Sequence, residues 1–340
     1  MNSVPNNPAK LMNLPIRPRR NRKSPAIRSL VCETVLGPAD FVQPLFVQEG
    51  DQNDSIASMP GITRWGEKDL ITEVLSIYTS GVPAVVLFPK IAESLKTSDA
   101  SACFDDAGLI PRVVRAIKAA CPNICVITDV ALDPYNSDGH DGLVHKASDG
   151  SLRILNDETV DILCRQALCH ARAGADVVSP SDMMDGRVAA LRHALDASNF
   201  ADVSILSYSV KYASALYGPF RGALDSAPKA GDKKTYQMNP ANSREALREA
   251  LLDQAEGADM VMVKPAGAYL DVIALVRGAT NVPVAAYQVS GEYLMIQSAA
   301  AAGWLDRKAV ILESLTAIKR AGADFILTYF AKEAALWLRE

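Results

Sequence analysis

Lys264 ends the apolar run Met260-Val261-Met262-Val263, and Lys211 follows Tyr208-Ser209-Val210. An amine at the end of a buried run points into a partly desolvated cavity. Desolvation favours its neutral form, and so does a second cation nearby, which each lysine offers the other. A neutral amine attacks a carbonyl to form a Schiff base, so the pair suits covalent chemistry on a keto substrate. For one lysine alone, an ion pair with a carboxylate such as Asp129 or Asp182 is the simpler reading. Two among so many polar run ends favour the Schiff base. Asp129 and Asp182 each have the chemistry to hold a lysine charged or to relay protons. Other run ends give Ser179-Pro180-Ser181, Gln288-Val289-Ser290 and Thr328-Tyr329-Phe330. After Arg221 comes a stretch rich in Gly, Lys and Asp at 225–236, long enough to be a lid over a site. Arg221, Lys233 and Lys234 then offer cations to a substrate carboxylate, with a solvated loop tip as the alternative for the two lysines. The segment 133–142 holds Asp133, Asp138, Asp141 and His140. Its oxygen donors suit Mg²⁺ rather than zinc, although such Asp/Gly loops are mostly turns.

Converging these groups requires a scaffold with many strand ends at one mouth. Short apolar runs at 41–47, 84–88, 124–130, 175–179, 203–208, 259–263, 282–289 and 324–329 alternate with helix-patterned stretches. Their continuous hydrophobicity is that of strands buried on both faces. Three are entered through one device, Ala173-Gly174-Ala175-Asp176, Glu256-Gly257-Ala258-Asp259 and Ala321-Gly322-Ala323-Asp324, in which glycine ends a helix and turns the chain. Eight such units predict a (β/α)₈ TIM barrel at 36–340, preceded by an extended N-terminal arm at 1–35. An open doubly wound sheet is the alternative, but the first run leads into Gln48-Glu49-Gly50-Asp51, not a G-x-G-x-x-G phosphate loop.

The arm is set apart by charge. Residues 1–32 carry seven basic side chains (Lys10, Arg17, Arg19, Arg20, Arg22, Lys23, Arg28) and no acid. Removing those seven leaves 28 basic against 39 acidic side chains, so the remainder carries −11. An acidic body argues against nucleic-acid binding, and no apolar run has the roughly 18–20 residues of a membrane span. The Pro- and Asn-rich arm lacks the apolar core of a secretory signal and the pattern of an amphipathic transit helix. The expected location is cytoplasmic. Six scattered cysteines, none in a C-x-x-C, read as reduced core residues.

These motifs together resemble the porphobilinogen synthase (δ-aminolevulinic acid dehydratase) family. The likeness rests on SYSVKYAS, MVMVKPAGAYLD, TDVALDPYNSDGHDG, SPSDMMDGR, YGPFR, YQVSGEY and ILTYFAK, with RPRRNR in the arm. It covers nearly the whole chain in the family's order. The resemblance implies condensation of two 5-aminolevulinate molecules to porphobilinogen with loss of two waters. Lys264 and Lys211 match the family's Schiff-base lysines. Arg221 and Lys233 match cations on one carboxylate, and Ser290 and Tyr329 match hydroxyls on the other. Asp129, Ser181 and Asp182 match pocket positions. Ala131, Asp133 and Asp141 stand where zinc-dependent members carry cysteines, which implies the zinc-independent branch with no organic cofactor. Glu249 and Asp253 fit that branch's allosteric Mg²⁺ motif, with Arg17 and Asp182 as partners. The family's homo-octamer, built of dimers embracing through their arms, is the implied assembly. A class I aldolase and a non-catalytic scaffold are the competing readings. An aldolase would need only one Schiff-base lysine and usually binds phosphate.

Overall fold

The computed structural model describes residues 15–339. Two compact units divide between Val35 and Leu36. In the first, a 3₁₀ turn Pro18–Arg22 leads to a short helix Pro25–Leu30, capped by Ser24, whose hydroxyl accepts from the Ile27 N–H. The described part of the arm thus carries local helical turns of its own. Pro18 and Pro25 each occupy the first position of a turn, where a missing N–H costs nothing and the fixed φ is pre-set. Lys10 lies outside the described residues.

In the second unit, eight parallel strands form the sheet: β1 (Phe41–Gln48), β2 (Ala84–Lys90), β3 (Cys125–Val130), β4 (Val177–Pro180), β5 (Ser204–Lys211), β6 (Met260–Lys264), β7 (Val284–Gln288) and β8 (Phe325–Thr328). The sheet closes on itself through Phe41↔Ile326 and Val42↔Leu327. Closure makes it the expected (β/α)₈ barrel and removes the open-sheet alternative. The principal helices are α1 (Glu67–Thr79), α2 (Leu109–Ala120), α3 (Asn156–Ala173), α4 (Arg187–Ala197), α5 (Gly218–Leu224), α6 (Arg244–Ala255), α7 (Leu270–Arg277), α8 (Ser290–Ala301), α9 (Arg307–Ala321) and α10 (Ala331–Trp337).

The recurrent glycine device has a second half. Gly174 and Gly322 end α3 and α9 at φ of +99° and +120°, a region costly for any other residue. The aspartate two residues on then reaches sideways to the preceding barrel strand. Asp176 accepts from the Val126 N–H (2.8 Å), Asp259 from Ile205 (2.7 Å) and Asp324 from Val284 (2.8 Å). Each pins the bottom of one strand to the next, and so fixes the height at which both strands reach the mouth.

One pairing is irregular. Ser207 registers with Val261, but Val210 registers with Val263, so β5 carries one extra residue between them. Without this bulge Lys264 would lie opposite Val210, and Lys211 would face the other side of the sheet. With it, Lys211 and Lys264 are direct partners.

Two features fall between the expected strands. An antiparallel hairpin, Leu143–Lys146 with Leu152–Leu155, precedes α3. The short strands Asp54–Ser55 and Thr63–Trp65 pair with each other, and the second also pairs with β1. All six cysteines are free. Cys32 is exposed, against the expectation of a core thiol, while Cys103, Cys121 and Cys169 are buried and Cys125 and Cys164 half-buried. Among the described residues no helix is long and apolar enough to cross a membrane.

Candidate active site

The bulged β5 and its neighbour bring the two lysines into one cavity with Asp129, Asp133, Asp141 and Ser181, roofed by Arg221, Lys233 and Phe220. Its free volume is only ≈ 30 Å³, room for about one water. Any keto acid therefore enters only when the roof moves.

Lys264 is 6 % exposed and lies over four aromatic rings, with its Nζ 4.7 Å from the Tyr287 centroid, 4.9 Å from Tyr208, 5.2 Å from Tyr217 and 5.3 Å from Phe220. The rings attract a cation but exclude water. Burial, aided by the charge of Lys211, pushes the Lys264 amine down to about 7. Asp129 is pushed up to about 7 by burial and by Asp133, against the pull of Lys264 and Lys211. A basic amine and a carboxyl acid thus titrate in the same range within one cavity, the condition for passing a proton between them.

The other carboxylates hold cations. Asp141 faces Lys211 at 3.7 Å and Lys233 at 3.0 Å, and Asp133 faces Lys233 at 3.4 Å. Burial opposes ionisation of Asp141, but Lys211 and Lys233 outweigh it and hold its carboxyl well below the usual range. In Asp133 burial prevails and its carboxyl is raised. Lys211 also donates to the Ser181 carbonyl.

The roof is tied down through the loop 133–142. A carbonyl only accepts, so the 2.9 Å contact with Ala230 O puts the His140 proton on Nε2, leaving Nδ1 to accept from the Tyr236 hydroxyl at 3.1 Å. The Lys229 N–H donates to Asp138 O at 3.0 Å. Gly139, at φ +73°, lets the two loop segments of this contact approach, since a Cβ there would lie 2.3 Å from Ala227 O. On the other side Lys96 donates to Asp225 O at 2.9 Å, and Lys90 pairs with the Asp225 carboxylate at 3.2 Å.

Several expected positions lie elsewhere. Lys234 is exposed and paired with Asp232, so of the two lysines Lys233 faces the cavity. Asp182 is buried outside the cavity lining, 3.7 Å from Arg187. Ser290 is spent on the roof: its hydroxyl accepts from the Phe220 N–H (3.1 Å) and contacts Leu216 O. Tyr329 shares a 3.0 Å hydrogen bond with Tyr287 and lines a separate cleft beside Trp65 and Lys332. Glu249 is half-buried on a cleft of ≈ 460 Å³ with Glu245 and Asp185, and burial, then the charge of Asp253, raises its carboxyl. Asp253 itself is taken by Arg187 (3.2 Å) and Ser207 (2.6 Å). Sequence reasoning passed over the ring cage and Arg187. Tyr208, Tyr217 and Phe220, all within nine residues of Lys211, were the available signal for the cage; beside Lys264 the sequence offers only Tyr269, which is not part of it.

Fold and site define a (β/α)₈ barrel with a buried, register-paired lysine couple at its mouth, the layout of lysine-dependent carbonyl chemistry. A model of the Delta-aminolevulinic acid dehydratase family matches residues 15–337, and the chain belongs to that family. The chloroplastic delta-aminolevulinic acid dehydratase of Physcomitrium patens is 60% identical over 326 residues, 96% of this chain and 74% of that protein. Delta-aminolevulinic acid dehydratase 1, chloroplastic, of Arabidopsis thaliana is 56% identical over 330 residues, 97% of this chain and 76% of that protein. A crystal structure of the Toxoplasma gondii ME49 delta-aminolevulinic acid dehydratase (porphobilinogen synthase) with its product porphobilinogen superposes with a TM-score of 0.93, at 52% identity, over 96% of this chain and 92% of that one. The chloroplastic relatives overturn the expected cytoplasmic location. Compartment is set by a receptor-read address, on which the composition of a catalytic body and its basic arm is silent.

Proposed function

We infer that the chain condenses two molecules of 5-aminolevulinate to porphobilinogen with loss of two waters, through Schiff bases on Lys264 and Lys211. The carrying observation is the register pairing of the two lysines in one cavity. Lys264, partly neutral near pH 7, attacks one keto group. Lys211 forms the second Schiff base once its proton has moved to a neighbouring carboxylate. Asp129 gives and takes protons as carbinolamine and imine interconvert. Arg221 and Lys233 take a substrate carboxylate, which frees Asp133 and Asp141 to receive a substrate ammonium. Ser181 contributes its carbonyl to Lys211. Ser290 and Tyr329 act on the second carboxylate after the roof rearranges. Borohydride reduction in the presence of 5-aminolevulinate, followed by peptide mapping, tests the reading. Label is expected on both lysines, and its absence from Lys264 overturns it.

The finer assignments follow the same reading. Ala131, Asp133 and Asp141 offer no thiolate, and two of the three already bind ammonium groups, which supports a zinc-independent site. Mg²⁺ is proposed as a regulator at Glu249, which lines a cleft with Glu245 and Asp185; among the described residues no three such side chains stand close enough to hold a metal by themselves, so the ion would take one or two carboxylates and keep several waters. Asp253 would act only indirectly, being held by Arg187. Assembly to a homo-octamer through the arms, Arg17 included, and a plastid setting complete the proposal. Activity and particle size measured together with chelator and with added Mg²⁺ test the regulator. If neither changes, Glu249 is not such a site.

A further inference from the structure

Arg187 opens α4 and is 2 % exposed, yet it touches three elements. Its Nη2 donates to the hydroxyl of Ser207 (3.1 Å), which borders the bulge of β5, and to the carbonyl of Tyr208 (3.4 Å), which lies inside it. The same nitrogen reaches the Asp253 carboxylate on α6 at 3.2 Å, and Ser207 donates to that carboxylate at 2.6 Å. Its Nη1 donates to Met184 O (3.0 Å), and its Nε faces Asp182 at 3.7 Å. Asp182 in turn accepts from the Met184 N–H at 2.7 Å, closing the turn that follows Ser181.

These contacts lie on both supports of one amine. The bulge decides which face Lys211 occupies, and the Ser181 carbonyl receives its ammonium. A bulge interrupts the ladder, and the guanidinium reaches the Tyr208 carbonyl inside it at 3.4 Å. We propose that Arg187 is a positioning residue for Lys211, clamping the β5 bulge to the turn that carries Ser181 so that Lys211 stays in register with Lys264. Lys264 sits on β6 and shares the Tyr208 ring with the clamped strand, while the other rings of its cage, Tyr217, Phe220 and Tyr287, lie outside β5. The proposal deepens the Schiff-base reading and rests on it for the meaning of Lys211, but its geometry is separate. A lysine in place of Arg187 keeps the charge between Asp182 and Asp253 and loses the planar fork that spans bulge and turn.

The test compares the parent with Arg187→Lys and Ser207→Ala, all with Mg²⁺ present and with thermal unfolding measured in parallel. Each is reduced with borohydride once with 5-aminolevulinate and once with formaldehyde, and the Lys211:Lys264 label ratio is read by peptide mapping. The ratio is expected to fall about tenfold or more in Arg187→Lys, as a misplaced reacting group requires, and in the same direction in Ser207→Ala. Equal loss at both lysines means that Arg187 only supports the fold, and that or an unchanged ratio overturns the proposal. If Arg187→Lys does not fold, Ser207→Ala decides. If the parent takes no label from 5-aminolevulinate, the Schiff-base reading fails, while the formaldehyde ratio still decides the role of Arg187.

Discussion

At Lys264 two influences of the ring cage oppose each other: the rings favour the ammonium and the exclusion of water disfavours it. Exclusion wins, because the amine is pushed down to about 7, with burial the largest cause. Below that pH Lys264 is protonated and cannot attack, so kcat/KM rises with pH through a limb centred near 7. Asp129 titrates in the same range, and the limb belongs to the pair. Two variants separate the influences. Phe220→Ala admits water, raises the amine and moves the limb to higher pH. Asp129→Asn removes a carboxylate that favours the ammonium and moves it to lower pH. A pH–rate profile in which both shift the same way contradicts this account. The roof lysines give a second contrast. Lys233 is buried between Asp133 and Asp141 while Lys234 is exposed. Lys233→Met should raise KM about tenfold or more, the worth of a charge-assisted hydrogen bond, and Lys234→Met should leave it near the parent value. Equal KM values in steady-state assays would remove Lys233 from substrate binding. Lys211, Lys264 and Asp129 were legible because a polar residue ending an apolar strand has one direction to point. The partners of Ser290 and Tyr329 were not, since a hydroxyl's partner depends on what folds over it, here Phe220 and Tyr287.

Among the elements, the strands and their Gly-x-Asp entries were readable because each depends on a few adjacent residues. The β5 bulge was not: an extra residue is defined only against the partner strand, and β6 lies some 50 positions away. The lid at 225–236 was foreseen as a segment, but not its ties to 133–142, which join loops about 90 residues apart. Beside the Lys233 ion pairs with Asp133 and Asp141, Tyr236 is the uncharged side-chain tie, bonded to His140 Nδ1 and accepting from the Asp141 N–H at 3.3 Å. Tyr236→Phe removes both contacts while keeping the ring that packs against the core. Hydrogen exchange should then quicken across 225–236 while the barrel strands hold their protection. A lid that opens more readily should also bind substrate more weakly in the closed state, raising KM. Unaltered exchange in that segment would show that the roof is held by its charged contacts, Lys96 and Lys90 on Asp225 and Lys229 on Glu93.

For the molecule as a whole, the unequal charge is the feature that stands out. The seven cations at 1–32 and the −11 of the remainder are opposite signs on one chain. Within the described part of the arm unit, Ile16, Leu30 and Val35 are more than 70 % exposed. An arm carrying both apolar side chains and cations has the composition of a segment that binds a surface, and in the proposed assembly the acidic barrel of a second copy would supply the complementary charge. Deleting residues 1–28 should therefore reduce the size of the assembly while leaving the barrel folded, as followed by light scattering and by the unfolding transition. Salt gives an independent check on the charged part. Exposed pairs are screened beyond about 8 Å at physiological ionic strength and about 3 Å at 1 M, so raising salt on the full chain should shift the same size equilibrium toward smaller species. An unchanged size after deletion would refute the arm as a strap. A size lost on deletion but indifferent to salt would assign the hold to Ile16 and its apolar neighbours rather than to the arginines.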